Sequence, residues 1–390
     1  MRGFGLEKSG GREIKLLVSF LSVLVLGCEG LQIDRPIKAS PLDWLTFGGG
    51  PSRSNHSASS VMPPLKQIWQ YDAGGGITAT PLIKDNILVV GTLKGELHVV
   101  DLRTGKRIGY ITVDGAVTGT PVWNGSAIYI PISTEHETVE SVDIGNGLKN
   151  WKAEYGQSES SPLLYDKRLY VTSLNGNLYC LNPANGDEFW KFETGSEDEK
   201  KPIRSSPATD SGVVVFGCDD GILYAVERSS GKLRWKFHTQ ESIFASPTTV
   251  KGRVVVGSLD GKMYCVEIRS GNLLWSFDTK SKIFGSASSD DSLAFVGTTD
   301  GRCYALNMQN GSPAWVFDAK SVINSAPLVT KSLVFVGSLD KNLYVLDIRT
   351  GKEVWHHQAE GRIKVSPVLW NGTLVVTSED NFVTAFNEAP

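Results

Sequence analysis

Short runs of apolar residues recur along this chain, and turn-forming residues bound each of them. Typical runs are residues 87–90, 254–256 and 374–376. Apolar runs of this length between turn residues predict β-strands. Asp-Gly pairs such as the one at 260–261 supply the positive φ angles that tight hairpins need. No apolar periodicity of 3.6 residues occurs in this region, so we predict few helices there.

The strands are grouped in a repeat of about 40 residues. A small residue and a proline open each unit, and alanine replaces the proline once; the openers are Pro81, Pro121, Pro162, Pro207, Pro247, Ala287, Pro327 and Pro367. Their spacings are 40, 41, 45, 40, 40, 40 and 40 residues. A strand repeat of this length predicts a β-propeller with one four-stranded antiparallel blade per unit. The expected fold is all-β, a single eight-bladed propeller.

A tryptophan begins the fourth strand of most units and indicates how the ring closes. These residues are Trp69, Trp151, Trp190, Trp235, Trp275, Trp315 and Trp355. The last unit ends after its third strand, near Phe386, and has no tryptophan of its own. Trp69 precedes the first opener by twelve residues, as Trp235 precedes the next opener. We therefore predict that the N-terminal strand around Trp69 completes the last blade, which removes two exposed sheet edges.

The charge balance argues against nucleic acid as a partner. The chain has 39 basic and 42 acidic side chains. Without residues 1–27 it would lose four basic and two acidic side chains and keep 35 and 40, a net charge of −5. An acidic surface of this kind does not attract polyphosphates.

The front of the chain has the layout of a secretory signal. Residues 1–15 carry a net positive charge, and residues 16–26 form an apolar stretch too short to span a bilayer. Residues 25–28 then resemble a bacterial lipobox, in which Cys28 would be lipidated. We predict a lipoprotein signal peptide over 1–27, a flexible tether over 28–43 and the propeller over 44–390. The alternative is an ordinary cleaved signal followed by an incidental cysteine.

The other chemistry-bearing residues do not converge on a catalytic site. Four cysteines lie at different registers of different blades and are expected to be buried free thiols: Cys180, Cys218, Cys265 and Cys303. No zinc-ligand spacing, nucleophile motif or phosphate loop is present. The recurrent aspartates, such as Asp260 and Asp340, share one turn register and are expected to form turns. We predict no metal, no cofactor and no enzyme activity.

Internal symmetry suggests where a partner binds. Positions that recur in every blade serve the fold, whereas positions that vary at a channel mouth are free to specify a partner. Three places before each opener the residues vary, and we predict a partner-binding set of Glu159, Arg204, Phe244, Phe284, Asn324 and Lys364. Aromatic residues and arginine dominate interface energies, so the phenylalanine pair beside Arg204 is the expected centre. The alternative is that these residues only line a wet channel.

With its tryptophan register, Ser-Pro openers, Asp-Gly turns and lipobox, the chain resembles the PQQ-repeat propellers. Residues 44–49 and Arg53 are also similar to the opening segment of many such proteins. Among them the chain is most similar to the BamB lipoproteins of the outer-membrane β-barrel assembly machinery. The resemblance implies a non-catalytic scaffold at the outer membrane, facing the periplasm. It would contact a protein partner, the periplasmic domains of the barrel insertase, through the propeller rim.

The chain also departs from the families that it resembles. The leucine–arginine loop and acidic pair by which BamB contacts its partner are not reproduced at residues 154–157 and 202–204. Quinoprotein dehydrogenases of this fold have adjacent bridged cysteines and long insertions over the cofactor. Here no two cysteines are adjacent. The alternative function is an envelope-anchored propeller that binds a small molecule, glycan or quinone without catalysis.

Overall fold

The computed structural model describes residues 31–389, which form 32 β-strands and one short 3-10 helix, Phe47–Gly49. The strands form eight four-stranded sheets, each paired in antiparallel order. The predicted eight-bladed, all-β propeller is confirmed. Within the described residues no helix is long and apolar enough to cross a membrane.

The first four blades use strands β2 to β17. Blade 1 contains β2 (Leu82–Lys84), β3 (Ile87–Gly91), β4 (Glu96–Asp101) and β5 (Arg107–Thr112). Blade 2 contains β6 (Val122–Asn124), β7 (Ala127–Pro131), β8 (Val139–Asp143) and β9 (Lys149–Ala153). Blade 3 contains β10 (Leu163–Tyr165), β11 (Arg168–Thr172), β12 (Asn177–Leu181) and β13 (Glu188–Glu193). Blade 4 contains β14 (Ala208–Asp210), β15 (Val213–Gly217), β16 (Ile222–Glu227) and β17 (Leu233–His238).

The remaining strands complete the ring. Blade 5 contains β18 (Thr248–Val250), β19 (Arg253–Gly257), β20 (Lys262–Glu267) and β21 (Leu273–Asp278). Blade 6 contains β22 (Ser288–Ser289), β23 (Leu293–Gly297), β24 (Arg302–Asn307) and β25 (Pro313–Asp318). Blade 7 contains β26 (Leu328–Val329), β27 (Leu333–Gly337), β28 (Asn342–Asp347) and β29 (Glu353–Gln358). Blade 8 contains β30 (Val368–Trp370), β31 (Thr373–Thr377), β32 (Phe382–Glu388) and β1 (Leu65–Asp72).

The two ends of the propeller meet in blade 8. Strand β1 pairs with β32, and Trp69 lies opposite Ala385. This is the closure that the tryptophan spacing predicts. Because the N-terminal strand supplies the outer edge of the last blade, the described chain is latched into a ring.

Tryptophans hold neighbouring blades together. The indole Nε1 of Trp235 donates to the carbonyl of Ile268 in the next blade (2.9 Å), and the ring lies on Gly271. A Cβ at Gly271 would lie 2.7 Å from that ring, and its φ is +73°, so both space and backbone require glycine here. The indoles of Trp69, Trp151, Trp275 and Trp315 make equivalent bonds. The repeated tryptophans therefore pack between blades, onto the turn before the next outer strand.

The segment before the propeller differs from its predicted form. Leu31 is 4% exposed, and Leu31, Ile33 and Ile37 pack with the core residues of blades 1 and 2. Residues 31–43 were expected to belong to a flexible tether, but they lie against the propeller because their apolar side chains find a place between these blades. The predicted signal peptide at 1–27 and the predicted lipidation of Cys28 lie outside the described residues.

The four described cysteines are free and buried, as predicted. Burial raises the pKa of Cys180 to about 11 and that of Cys265 to about 12. Thiols in this state are unreactive at neutral pH.

Candidate functional site

The central channel is open at one end, and the predicted binding residues ring this mouth. Six residues at the register three places before the openers line one cavity: Thr78, Thr118, Glu159, Phe284, Asn324 and Lys364. The residue before each of them is buried, as Ile283 and Ile323 are at 0% exposure. The structure thus brings the varied positions together on a buried, repeated support.

Arg204 and Phe244 contact the mouth residues Glu159 and Phe284. Arg204 forms an ion pair with Asp219 and lies 3.5 Å from the carboxylate of Glu159. Its guanidinium also lies 5.2 Å from the centre of the Phe244 ring. Phe244 in turn meets Phe284 edge-to-face, with ring centres 5.7 Å apart. These four residues of the mouth, Glu159, Arg204, Phe244 and Phe284, are called the aromatic–arginine cluster below.

The cluster keeps both its charge and its apolar surface accessible. Phe284 is 38% exposed, and the Arg204 side chain is 37% exposed. Across the mouth, the Lys364 ammonium donates to Glu379 at 2.6 Å. The mouth therefore combines exposed aromatic surface with charged side chains, the residue types that dominate protein interfaces.

Hydroxyl side chains form the wall of the channel below the mouth. In five successive blades the residue before the opener donates its backbone N–H to the matching hydroxyl of the next blade. These bonds run from Thr80 to Thr120, Ser161, Ser206, Ser246 and Ser286, at 2.8–2.9 Å. The seventh blade has Ala326 at this register. Because these hydroxyls are used between blades, they belong to the fold more than to a ligand site.

A closing segment, residues 44–59, crosses the other end of the channel. It forms hydrogen bonds in most blades with the residue two places after the opener. For example, the N–H groups of Thr209, Thr249 and Ser289 donate to carbonyls of the segment at 2.9–3.0 Å. The carbonyls of Trp44, Leu45 and Asn55 accept in the same way from blades 1, 2 and 7, whereas the Ser57 hydroxyl donates to the carbonyl of Leu369 in blade 8. This register lies five residues further along the chain than the mouth residues, a distance of at most about 16 Å.

Arg53 fixes the closing segment to blades 3 and 4. Its guanidinium donates to the carbonyls of Ser161 (3.1 Å), Pro162 (2.9 Å) and Pro207 (3.0 Å), and also to Thr46 within the segment. The side chain is 1% exposed. Burial lowers the pKa of Arg53 to about 9, which leaves it charged at neutral pH. A fork of five donors suits this position, where several carbonyls converge.

The result is a shallow polar cup with Phe47 of the closing segment in its lining. Its volume is about 150 Å³, below the 300–1,000 Å³ typical of small-molecule sites. In the described residues no group of three or more histidines, cysteines or carboxylates is placed to hold a metal ion. The recurrent aspartates form turns: Asp220, Asp260 and Asp340 each accept the N–H two residues on, at 2.9 Å. The geometry suits contact with a protein surface at the mouth.

Sequence reasoning located the mouth but missed the closing segment and the hydroxyl wall. The wall had a signal, because serine or threonine precedes the proline in most openers. Arg53 had a weaker one, as a single cation within the polar stretch 52–60.

Proteins of several functional classes are similar in sequence to this chain. The chain is 26% identical over 188 residues to the outer membrane protein assembly factor BamB of Shewanella oneidensis, a match that covers 43% of this chain and 45% of that protein. A second BamB relative, from Yersinia pestis, is matched over 57% of its length, so the chain spans about half the length of these two relatives. The solved quinohemoprotein alcohol dehydrogenase of Comamonas testosteroni has a TM-score of 0.75 at 12% identity, over 90% of this chain and 82% of that one.

The crystal structure of BamB from Moraxella catarrhalis matches 83% of this chain and 99% of its own, with a TM-score of 0.72 and 17% identity. At such identities, both solved structures show a shared fold alone. The family model described as outer membrane protein assembly factor BamB matches residues 65–192, 175–315 and 264–389. Since these overlapping matches cover most of the sequence, the chain belongs to the BamB family of PQQ-repeat propellers.

Proposed function

We propose that this protein is a non-catalytic scaffold that aids the assembly of outer-membrane β-barrel proteins through protein contacts at the channel mouth. The main support is the aromatic–arginine cluster, whose residues differ from blade to blade and stay accessible. Family membership supplies the class of process. The partner is the periplasmic part of the barrel-assembly insertase.

The quinone chemistry of the dehydrogenase relatives does not fit this cup. Its volume of about 150 Å³ is small, and the Arg53 guanidinium beside Phe47 already donates to four backbone carbonyls and the Thr46 hydroxyl. The chain has no adjacent cysteines. A small-molecule site at the channel mouth is the less favoured alternative, because the same volume of about 150 Å³ is small for such a ligand.

The proposed location is the periplasmic side of the outer membrane, with attachment through a lipidated Cys28. The sequence at 25–28 supports this proposal. Cys28→Ser should abolish fatty-acid labelling and release the protein from membranes. Retained labelling in this variant would contradict the anchor.

The function is tested by affinity capture from detergent-solubilised envelopes of the native cell. The full-length lipoprotein should recover the barrel insertase as its main partner. A bait that recovers no insertase but binds a small molecule tightly would refute the scaffold and support the alternative.

A further inference from the structure

The contact between blades 1 and 2 lacks the tryptophan found at other blade contacts. Gly109 stands at this register, opposite Val99, as Trp235 stands opposite Ala225. The turn that a tryptophan would cover is present in blade 2, where Gly147 has a φ of +73°. The repeat therefore leaves the space of a tryptophan side chain unfilled at the contact between blades 1 and 2.

Leu31 fills this gap from outside the repeat. A Cβ at Gly109 would lie 2.8 Å from Cα of Leu31, and a Cβ at Gly147 would lie 3.5 Å from its Cβ. Ile33 donates its N–H to the carbonyl of Gly145 at 2.9 Å. Arg35 then forms an ion pair with Asp85 and donates to its carbonyl at 2.6 Å. The segment is thus docked across blades 1 and 2 by apolar, backbone and ionic contacts.

The docking point lies at the closed end of the channel. Inner strands run from the mouth towards the closing segment, so in an antiparallel blade the turn between the third and fourth strands lies at the closed end. Gly147 belongs to such a turn, between β8 and β9. Leu31 therefore lies at the rim of the closed end, on the side away from the mouth.

Only two residues lie between Cys28 and Leu31, so these two positions are at most about 10 Å apart. A free tether over 28–43 would reach about 50 Å when extended. We propose that Leu31 holds the closed-end rim of blades 1 and 2 against the lipid bilayer and directs the mouth away from it. This inference rests on the lipid anchor of the proposed function.

The surface around the docking point suits a lipid interface. Leu148 directly follows Gly147 and is 65% exposed. The residue at this place in the other turns is polar or charged: Lys106, Asp187, Lys232, Asn272, Ser312 and Lys352. Ile108, beside Gly109, is 36% exposed. Exposed apolar side chains beside cations such as Lys106 match the boundary between acyl chains and anionic headgroups.

The test compares fluorescent labels at two positions on opposite sides of the propeller circumference, in blades 2 and 5. Full-length lipoprotein carrying Leu148→Cys or the control Leu274→Cys, in blade 5, is labelled with bimane. It is then reconstituted in phosphatidylethanolamine–phosphatidylglycerol vesicles that contain a headgroup nitroxide lipid. The native buried thiols do not compete for the label. Because the reach is short, we expect quenching about threefold stronger at 148 than at 274.

A variant of the docking residue separates this inference from the anchor itself. Leu31→Asp should still float with the vesicles but lose the difference between the two labels, while Leu31→Met should keep it. Flotation of the otherwise unchanged protein with equal quenching at both positions would overturn the orientation alone. Failure to float would refute the lipid anchor, and the orientation with it.

Discussion

The two ends of the channel are built from the same eight inner strands, yet their chemistry is opposite. At the closed end one segment bonds the same register in blade after blade, and its arginine is buried. At the mouth each blade offers a different side chain, and Phe284 and Arg204 remain accessible. Uniform positions thus hold this ring together, whereas varied positions are available for recognition.

Arg53→Ala should give the largest effect, because it leaves several buried carbonyls at the closed end without a donor. We expect a loss of about 4–5 kcal/mol of unfolding free energy, measured by denaturant titration of tryptophan fluorescence. The control is the exposed Arg269, whose replacement by alanine should cost less than about 0.5 kcal/mol. Equal midpoints for the two variants would mean that the closing segment does not stabilise the ring.

Trp275→Ala tests the repeated contacts between blades. Trp275 is 7% exposed and its indole donates to the carbonyl of Met308 at 3.0 Å. Removing it should cost about 3–4 kcal/mol in the same titration. Trp355 is more exposed and faces the blade that β1 completes. Trp355→Ala should therefore reduce the unfolding free energy by less than Trp275→Ala does. The reverse order would contradict the role of the glycine turn beneath Trp275.

The mouth should show the opposite behaviour, with a small effect on stability and a large one on binding. Arg204→Gln with Phe244→Ala should cost less than about 1 kcal/mol, because both side chains are partly exposed. Arg204→Gln is preferred to a glutamate, which would stand beside Asp219 and Glu159. Capture of the insertase should fall by about tenfold or more. Unchanged capture would leave the mouth without a role in recognition.

The smallest predicted effect is on pH dependence, at a turn beside the mouth. Burial disfavours ionised Asp340, but hydrogen bonds, among them one from Tyr344 at 2.7 Å, lower the pKa of Asp340 below its ordinary value. A carboxyl whose pKa is lower in the folded state stabilises at neutral pH and loses this contribution as pH falls through the folded value. The cost of Asp340→Asn should therefore be smaller at about pH 3 than at about pH 7. A cost independent of pH would contradict the role of the ionised carboxylate.

Much of the fold could be predicted because each blade repeats its own signals. The spacing of Trp69 gave the ring closure, and the openers gave the blade count. The closing segment could not be predicted in this way, since it lies outside the repeat and many of its bonds to the blades use backbone groups that any sequence offers. Leu31 was missed for a related reason: its place is defined by an absence, the missing tryptophan at Gly109. The mouth was found because departures from a repeat are visible in sequence, but the contact of Arg204 with Phe244 required the structure.

Site-specific photocrosslinking in the native envelope tests the recognition role of the mouth most directly. A photoreactive amino acid at Phe284, in the mouth, is compared with one at Val316, which is 46% exposed on an outer strand. We predict that the insertase is crosslinked from position 284 and not from position 316. Crosslinks to the insertase from position 316 alone would contradict a binding role of the mouth and place the partner on the outer rim.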